Sequence, residues 1–143
     1  MKVLIRQILS RDASDVARLC QQLGYELPKA LAAENIKSIL NNKDNDAFVA
    51  LAEDKVIGWI GVSQAIQIES APFCEIRGLI VDGLYRKNGI GKMLIEKAAV
   101  WGRERGNKKL RLRCNVKRTE AHLFYHHLNF KEIKEQKVFE IAI

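Results

Sequence analysis

Cross-linking residues are scarce in this sequence. The chain of 143 residues has three cysteines, Cys20, Cys74 and Cys114, and no two of them have the CxxC spacing of many zinc sites. An odd number of widely spaced cysteines favours free thiols in a reducing compartment over a disulfide framework. We therefore expect a cytoplasmic protein that binds no structural zinc and is stabilised by a hydrophobic core.

Long apolar runs are also absent. No stretch approaches the roughly 18 apolar residues that a membrane-spanning helix requires. Arg6 interrupts the first apolar stretch and no small-residue cleavage site follows it, so we interpret residues 2–9 as a strand and not as a signal peptide. The composition, 48% hydrophobic and 29% charged, predicts a globular protein, and the length fits a single domain over residues 1–143.

Acidic residues are fewer than basic ones, and the formal net charge is +7. Much of the excess lies in one stretch, formed by Arg103, Arg105, Lys108, Lys109, Arg111, Arg113, Lys117 and Arg118. Such a run is typical of a solvated helix end and strand face, or it attracts a phosphorylated cofactor or a nucleic acid. It lacks the interleaved aromatic residues of a base-stacking surface, which weakens the nucleic-acid hypothesis.

Hydrophobic periodicity predicts an α/β (α+β) domain with a mixed sheet. Helical spacing is clear in Val16, Leu19, Cys20 and Leu23, which fall on one face. In chain order we predict a strand at 2–9, helices at 12–23 and 28–41, strands at 46–53, 56–67 and 74–81, a helix at 89–105, a strand at 110–114, a helix at 119–128 and a hairpin at 130–143.

The most informative segment, VDGLYRKNGIGK, leads from an apolar strand into an amphipathic helix. Gly89 and Gly91 let the backbone approach a ligand closely, and the first amides of a helix have no intrahelical acceptor. The positive end of the helix dipole lies at the same place, so we expect a pyrophosphate to bind here. The basic side chains of the segment are Arg86, Lys87 and Lys92.

Two common phosphate-binding loops do not fit this segment. A P-loop requires Ser or Thr after its Gly-Lys pair, and Met93 follows Gly91-Lys92. A dinucleotide fingerprint requires a third glycine where this chain has Leu94.

The hexapeptide RKNGIG, residues 86–91, matches the Q/R-x-x-G-x-G/A motif of the GNAT acetyltransferase superfamily, which the chain resembles over nearly its whole length. Residues 75–81 are similar to the fourth strand of that family, and residues 115–130 to its second motif, with AHLFY followed by LNF. Asn129 replaces the usual glycine there, and asparagine tolerates a left-handed backbone best among the other residues. The resemblance implies a mixed, mostly antiparallel sheet, flanked by about four helices and splayed between strands four and five.

The resemblance also implies acetyl-CoA as the co-substrate, with no metal. The pantetheine arm would pair with strand four as an added strand does, the turn amides would hold the pyrophosphate, and Asn115 would bond the pantetheine amide. The implied cofactor-binding residues are Leu79, Ile80, Val81, Arg86, Lys87, Asn88, Gly89, Ile90, Gly91, Lys92 and Asn115.

Acetyl transfer to an amine requires that the amine lose a proton and that the leaving thiolate gain one. Tyr125 matches the tyrosine that many GNAT enzymes place near the thioester sulfur, so we predict that it is the acid. Glu75 lies eleven residues before Arg86, the spacing of family members whose base is on strand four, so we predict that it is the base. The Val81 amide would polarise the thioester carbonyl.

Several residues have a second interpretation. Tyr125 and Trp59 also fit a hydrophobic core, although Trp59 could instead line the acceptor cleft, and Glu75 also fits a carboxylate that pairs with an arginine. Cys74 or Cys114 would allow a covalent route, but neither has a histidine close in sequence. His122 and His126 have the i, i+4 spacing of metal ligands without an HExxH pattern.

We therefore predict an N-acetyltransferase in which an amine of a small molecule or peptide attacks acetyl-CoA directly. The acceptor is not specified by any motif. The alternatives are a catalytically inactive acetyl-CoA sensor and a basic nucleic-acid-binding module. The final strands could form a homodimer, as in relatives, and we expect no membrane partner.

Overall fold

The computed structural model describes residues 1–143, which form two compact units, 1–113 and 114–143. The first unit contains five strands and three helices, and the second contains one helix. The strands are β1 (Val3–Gln7), β2 (Asn45–Ala52), β3 (Lys55–Ala65), β4 (Phe73–Val81) and β5 (Leu110–Leu112), and the helices are α1 (Ala13–Gln22), α2 (Lys29–Leu40), α3 (Ile90–Glu104) and α4 (Thr119–His127). The predicted order of elements is confirmed as far as α4, and a single domain over the whole chain stays a prediction.

The sheet has the order β1-β2-β3-β4-β5. Its first four strands are antiparallel neighbours, and β5 runs parallel to β4. The β4–β5 pairing covers only Cys74–Ile76 opposite Leu110–Leu112, so no strand pairs with that edge of β4 beyond Ile76. The predicted mixed and splayed sheet is therefore confirmed, although β5 is shorter than expected.

β2 and β3 form a hairpin with a two-residue turn. Glu53 and Asp54 have φ values of +50° and +63°, the positive values that a two-residue type I′ turn requires at both positions. Both residues are exposed and neither is a glycine, so their positive φ angles lower the stability of the fold somewhat.

The amphipathic helices bury the residues that periodicity predicted. Leu19 of α1 and Leu94 and Ala98 of α3 are completely buried, and Ala32 and Ile36 are the buried residues of α2. Leu40 is an exception, because it is partly exposed at the end of α2. None of the helices is both long enough and apolar enough to cross a membrane.

Asp12 lies at the start of α1, but its carboxylate does not cap the helix. It accepts two hydrogen bonds from Arg6, at 2.7 and 2.9 Å, and one from the Leu9 amide at 2.8 Å. Burial opposes ionisation of Asp12, but these bonds outweigh it and lower the pKa of the carboxyl. Through these hydrogen bonds Asp12 connects Arg6 of β1 to the beginning of α1.

The predicted hairpin at 130–143 is wrong. These residues form no strand, and no backbone hydrogen bond involves residues 131–143. Alternating apolar residues suggested a strand, but a strand needs a partner to satisfy its backbone groups, and these side chains are exposed. The large apolar ones are Ile133, Val138, Phe139, Ile141 and Ile143.

Two glycines on opposite faces of β3 give a stability prediction. A methyl group at Gly58 would lie 3.1 Å from the Ile80 carbonyl oxygen and 3.3 Å from Leu94, whereas one at Gly61 would have no neighbour closer than 3.8 Å. We expect Gly58→Ala to lower the free energy of unfolding by about 1–3 kcal/mol through overpacking. Gly61→Ala should be neutral or stabilise by up to about 1 kcal/mol. Urea unfolding measures the free energy of unfolding of both variants. An equal change in the two variants would contradict this packing of α3 on β3.

Candidate active site

The turn between β4 and α3 exposes backbone amides at the start of a long helix. It passes through a 3₁₀ turn at Gly83–Tyr85 and reaches α3 at Ile90. The first helical hydrogen bond runs from the Met93 amide to the Gly89 carbonyl, so the preceding amides have no intrahelical acceptor. Lys87 and Gly89 have φ values of +66° and +77° and curve the chain around these amides.

The space in front of this turn is open. No atom lies within 4 Å of the position that a side chain at Gly89 would take. The three basic side chains of the turn are exposed and form no ion pair; they are Arg86, Lys87 and Lys92. Asn88 instead stabilises the turn, because its side-chain amide donates to the carbonyls of Tyr85 (3.0 Å) and Arg86 (3.2 Å). The arrangement fits the pyrophosphate of a nucleotide cofactor.

A buried carboxylate connects this turn to α1. Asp82, 1% exposed, accepts hydrogen bonds from Arg18 Nη1 (2.9 Å), Gln22 Nε2 (3.3 Å) and the Leu84 amide (3.1 Å). Gln22 Oε1 in turn accepts from the Gly83 amide at 2.9 Å. Burial opposes ionisation of Asp82, but these hydrogen bonds and the Arg18 charge outweigh it and lower its pKa.

Sequence reasoning missed this network. The Asp82-Gly83 pair is typical of a turn whose Asp side chain bonds a nearby backbone amide. This pair was the only local feature of the sequence that pointed to the network. Arg18 and Gln22 lie one helical turn apart on α1, but nothing in the sequence relates them to a residue about 60 positions later.

Beyond Ile76 and Leu112, β4 and β5 no longer pair, and we call the gap between them the split. The edge of β4 that faces this split can pair with a ligand. Leu79, Ile80 and Val81 pair with β3 on one side, and no strand of the sheet pairs with them on the other. The paired end of β4 and β5 is held together by two amide side chains, since Gln64, beside Cys74, and Asn107 exchange hydrogen bonds of 2.8 Å in both directions. The split therefore begins at a fixed point and opens toward the turn.

Glu75 lies at the base of the split and is 5% exposed. Its two carboxylate oxygens contact two arginines: Arg77 Nη1 donates to Oε1 at 2.6 Å, and Arg113 Nε lies 3.5 Å from Oε2. Glu75 thus has the arginine partners of the second interpretation, and these contacts leave other lone pairs of the carboxylate free.

The other predicted side chains lie in the second unit. The half-buried ring of Tyr125 packs edge-on against Phe124 and Phe130, with centroids 5.2 and 5.7 Å away. Burial, with a smaller effect from Cys114, raises the pKa of the Tyr125 phenol. Asn115 accepts a hydrogen bond from the Lys117 amide at 2.9 Å, and it lies three residues beyond β5 rather than at its end.

Cys74, a candidate for the covalent route, is buried. Cys74 is 1% exposed, and burial raises the pKa of its thiol to about 11, so little thiolate exists at neutral pH. His122 Nε2 lies 2.9 Å from the Asn115 carbonyl oxygen. No three side chains of the metal-ligating types cluster as a metal site would require.

Three arginines of the basic stretch contact other side chains of the protein. The Arg105 guanidinium stacks on Trp101 at 3.7 Å from the ring centroid, and Arg111 stacks on Phe73 at 4.2 Å. Arg113 pairs with Glu75. Trp59 packs against the core cluster under α1 and α2, in agreement with its core interpretation.

Residues 6–130 match the Acetyltransferase (GNAT) family. An uncharacterized N-acetyltransferase of Chlorobaculum tepidum is 30% identical over 92% of this chain and 77% of its own length. The aminoalkylphosphonate N-acetyltransferase of Salmonella typhimurium is 27% identical over 90% of this chain and 84% of its own. An uncharacterized N-acetyltransferase of Methanocaldococcus jannaschii is 29% identical over 76% of this chain, which spans about half (49%) of that relative.

Solved structures have the same fold. The aminoglycoside N-acetyltransferase AAC(6')-Iy in complex with CoA has a TM-score of 0.88 at 21% identity, over 99% of this chain and 96% of that one. The apo aminoglycoside 6'-N-acetyltransferase of Acinetobacter haemolyticus has a TM-score of 0.85 at 19% identity, over 98% and 99% of the two chains.

The Asp82 network makes stability depend on pH. A lowered pKa means that the folded state favours the carboxylate, so Asp82 stabilises the fold above its unfolded pKa of about 3.9. This contribution is lost as the pH falls through the lower folded value. We expect Asp82→Asn to cost about 3 kcal/mol near pH 7, because it leaves Arg18 without its buried partner. The cost should shrink as the pH falls below about 4.

The matched control is Asp15→Asn, which removes the other, more exposed carboxylate that contacts Arg18, at 3.3 Å. Exposed pairs contribute about 0–1 kcal/mol. Urea unfolding at both pH values gives the free energies. If Asp82→Asn lowers the free energy of unfolding no more than Asp15→Asn does, the proposed contribution of the Asp82 network to stability is contradicted.

Proposed function

The chain belongs to the GNAT acetyltransferase family, and on that premise we propose that it acetylates a primary amine of a small molecule or peptide by direct attack on acetyl-CoA. Family membership makes it an acetyl-CoA-dependent N-acetyltransferase, as predicted, with acetyl-CoA as its co-substrate. The single observation that carries the residue-level proposal is the turn of exposed amides at the open end of the β4–β5 split.

We propose that this turn holds the pyrophosphate. The amides of residues 87–92 donate no backbone hydrogen bond and lie beside three unpaired basic side chains, which favours a doubly charged anion. The pantetheine arm would extend from there along Leu79, Ile80 and Val81, whose free edge can accept it as an added strand. Asn115 is proposed to bond a pantetheine amide.

The acetyl transfer needs two proton transfers. The amine nitrogen forms a bond to the acetyl carbon while the carbon–sulfur bond breaks, and the electron pair of that bond leaves on the sulfur. Tyr125 is proposed to give its phenolic proton to the thiolate. The phenol, whose pKa is raised by burial, holds its proton at neutral pH and can therefore donate it. The Val81 amide, at the turn end of β4, is proposed to pair with the pantetheine arm rather than with the thioester carbonyl, because the arm extends from Val81 toward Arg77.

Glu75 is proposed to accept the amine proton through a water molecule. Its position at the base of the split supports this role, because the arm would extend toward it from the turn. The contacts with Arg77 and Arg113 leave acceptor capacity on both oxygens. They also hold the carboxylate in one orientation.

The named acceptors of similar proteins are an aminoalkylphosphonate and aminoglycosides. Both are small polar molecules that carry amines, and this supports a small-molecule acceptor for this chain. All three thiols are free, which supports a role in the reducing cytoplasm. The exposed apolar residues at 133–143 support a homodimer, which a monomeric mass by light scattering would exclude.

The cofactor site is tested with Gly89→Glu. The new side chain would place a negative charge in front of the turn amides, where the pyrophosphate is proposed to bind. We expect isothermal titration to show that acetyl-CoA affinity falls by about 100-fold, which corresponds to the loss of one or two charge-assisted hydrogen bonds.

The matched control is Gly106→Glu. Gly106 follows the same helix, has a φ of +82° against +77° for Gly89, and also has no neighbour within 4 Å, so the backbone strain is the same. Acetyl-CoA affinity of this variant should be unchanged. Equal affinity in both variants, or no binding by the unaltered protein, would overturn the site assignment.

The two proton transfers are tested with Tyr125→Phe and Glu75→Gln. Each change removes one acid–base group, and we expect kcat to fall about 10²–10⁴-fold in each while acetyl-CoA affinity stays within a few-fold. Tyr25→Phe, at an exposed position, is the control and should keep full activity. An unchanged kcat in Tyr125→Phe would mean that another group protonates the thiolate.

A further inference from the structure

The point at which β4 and β5 part is surrounded by guanidinium groups. The last paired residues are Ile76 and Leu112, and each is followed in the chain by an arginine, Arg77 and Arg113. Arg111 lies opposite Glu75 in the strand register, and its guanidinium stacks on the ring of Phe73. Two guanidinium groups, those of Arg77 and Arg113, therefore contact the carboxylate of Glu75, and a third arginine lies on the neighbouring strand.

These side chains lie on the sheet face opposite α3. Cys74 contacts α3, since its sulfur lies 3.9 Å from the Ala98 carbonyl oxygen. Residues alternate between faces along a strand, so Glu75 and Phe73 lie on the other face. Because Arg111 stacks on Phe73, the arginines of β5 share that face.

A β-bulge sets the position of Arg77. Gly61 pairs with Gly78 and Val62 with Ile76, which leaves Arg77 as an extra residue without a partner on β3. Bulges turn a side chain away from the regular pleat and are common beside active sites. Here the bulge places Arg77 at the point where the split begins.

The arginines keep most of their donors free. The side chains of Arg77 and Arg113 are 61% and 66% exposed, and each has one contact with Glu75. A guanidinium has five N–H donors in a planar fork, so both can bind a second oxyanion while Glu75 orients them. Glu75 thus acts on them as a positioning residue.

The proposed path of the cofactor brings its reactive end to this cluster. With the pyrophosphate at the turn, the arm runs from Val81 back toward Arg77, a distance of about 13 Å for four strand residues. An acceptor whose amine reaches the thioester then has its remaining atoms beside Arg77 and Arg113.

We propose that the acceptor carries an oxyanion, a carboxylate or a phosphate-type group, which Arg77 and Arg113 bind while the amine attacks. The inference rests on the proposed function, because it takes the split as the path to the thioester. It also disfavours polycationic acceptors, which the same charges repel.

The test uses matched probes on the CoA-loaded protein. The pairs are β-alanine with β-alaninamide and phosphoethanolamine with ethanolamine, which differ in the anionic group. Calorimetry should show that at least one anionic member binds about tenfold or more tightly than its neutral partner, as expected for a charge-assisted bidentate contact. The two pairs show whether a carboxylate or a phosphate is preferred.

Variants then assign the preference to the cluster. Arg113→Gln, which alters the longer contact to Glu75, and Arg77→Gln should each reduce the preference by about tenfold, and Arg113→Lys should restore part of it. The charge-matched control Arg103→Gln, at an exposed residue of α3 without an ion pair, should leave it unchanged. Thermal unfolding confirms that each variant is folded.

The outcomes separate the two proposals. Failure of the protein to bind CoA overturns the proposed function, and with it the path on which this inference rests. CoA binding with no preference in either pair, or with a preference that survives both Gln variants, overturns only the anionic acceptor. A loss of CoA affinity in Arg113→Gln would also overturn it, because the arginines would then serve the cofactor.

Discussion

The short pairing of β4 with β5 is the constraint on which the rest of the site depends. Three residue pairs hold the strands together, and the Gln64–Asn107 amide contact lies at their paired end. Beyond Ile76 the edge of β4 keeps unpaired backbone groups, which in an ordinary sheet would be satisfied by a neighbour. A ligand with amides of its own can take that place, so the incomplete sheet is itself a binding surface.

Charge is distributed to suit a ligand that is anionic at one end. The turn presents helix amides and three free cations, and a buried carboxylate behind it holds the backbone through Arg18 and Gln22. At the base of the split a second carboxylate, Glu75, is surrounded by arginines. At the turn the nearly buried acid holds the backbone in place, and at the base of the split the nearly buried Glu75 contacts arginines whose remaining donors are available to a ligand.

The sequence predicted what depends on local pattern. Helical periodicity identified α1 and α3, the spacing of Gly89 and Gly91 identified the turn, and resemblance supplied the splayed sheet. It could not predict the Arg18–Asp82 contact or the bulge at Arg77, since both depend on the register of elements distant in the chain. It was wrong at 130–143, where alternation has no partner strand.

The central claim, that acetyl-CoA binds along the β4 edge with its pyrophosphate at the turn, is tested most directly by hydrogen–deuterium exchange with and without acetyl-CoA. Amides of Leu79 and Val81 and of residues 87–92 should become protected, because the ligand would accept their hydrogen bonds. The Ile80 amide should not change, because amides alternate along a strand and the Asp82 amide already donates to Ile57 of β3. Exposed amides of 103–109, in the basic stretch but outside the split, should exchange as before. Protection confined to 103–109 would contradict the account and place the ligand on the basic stretch instead.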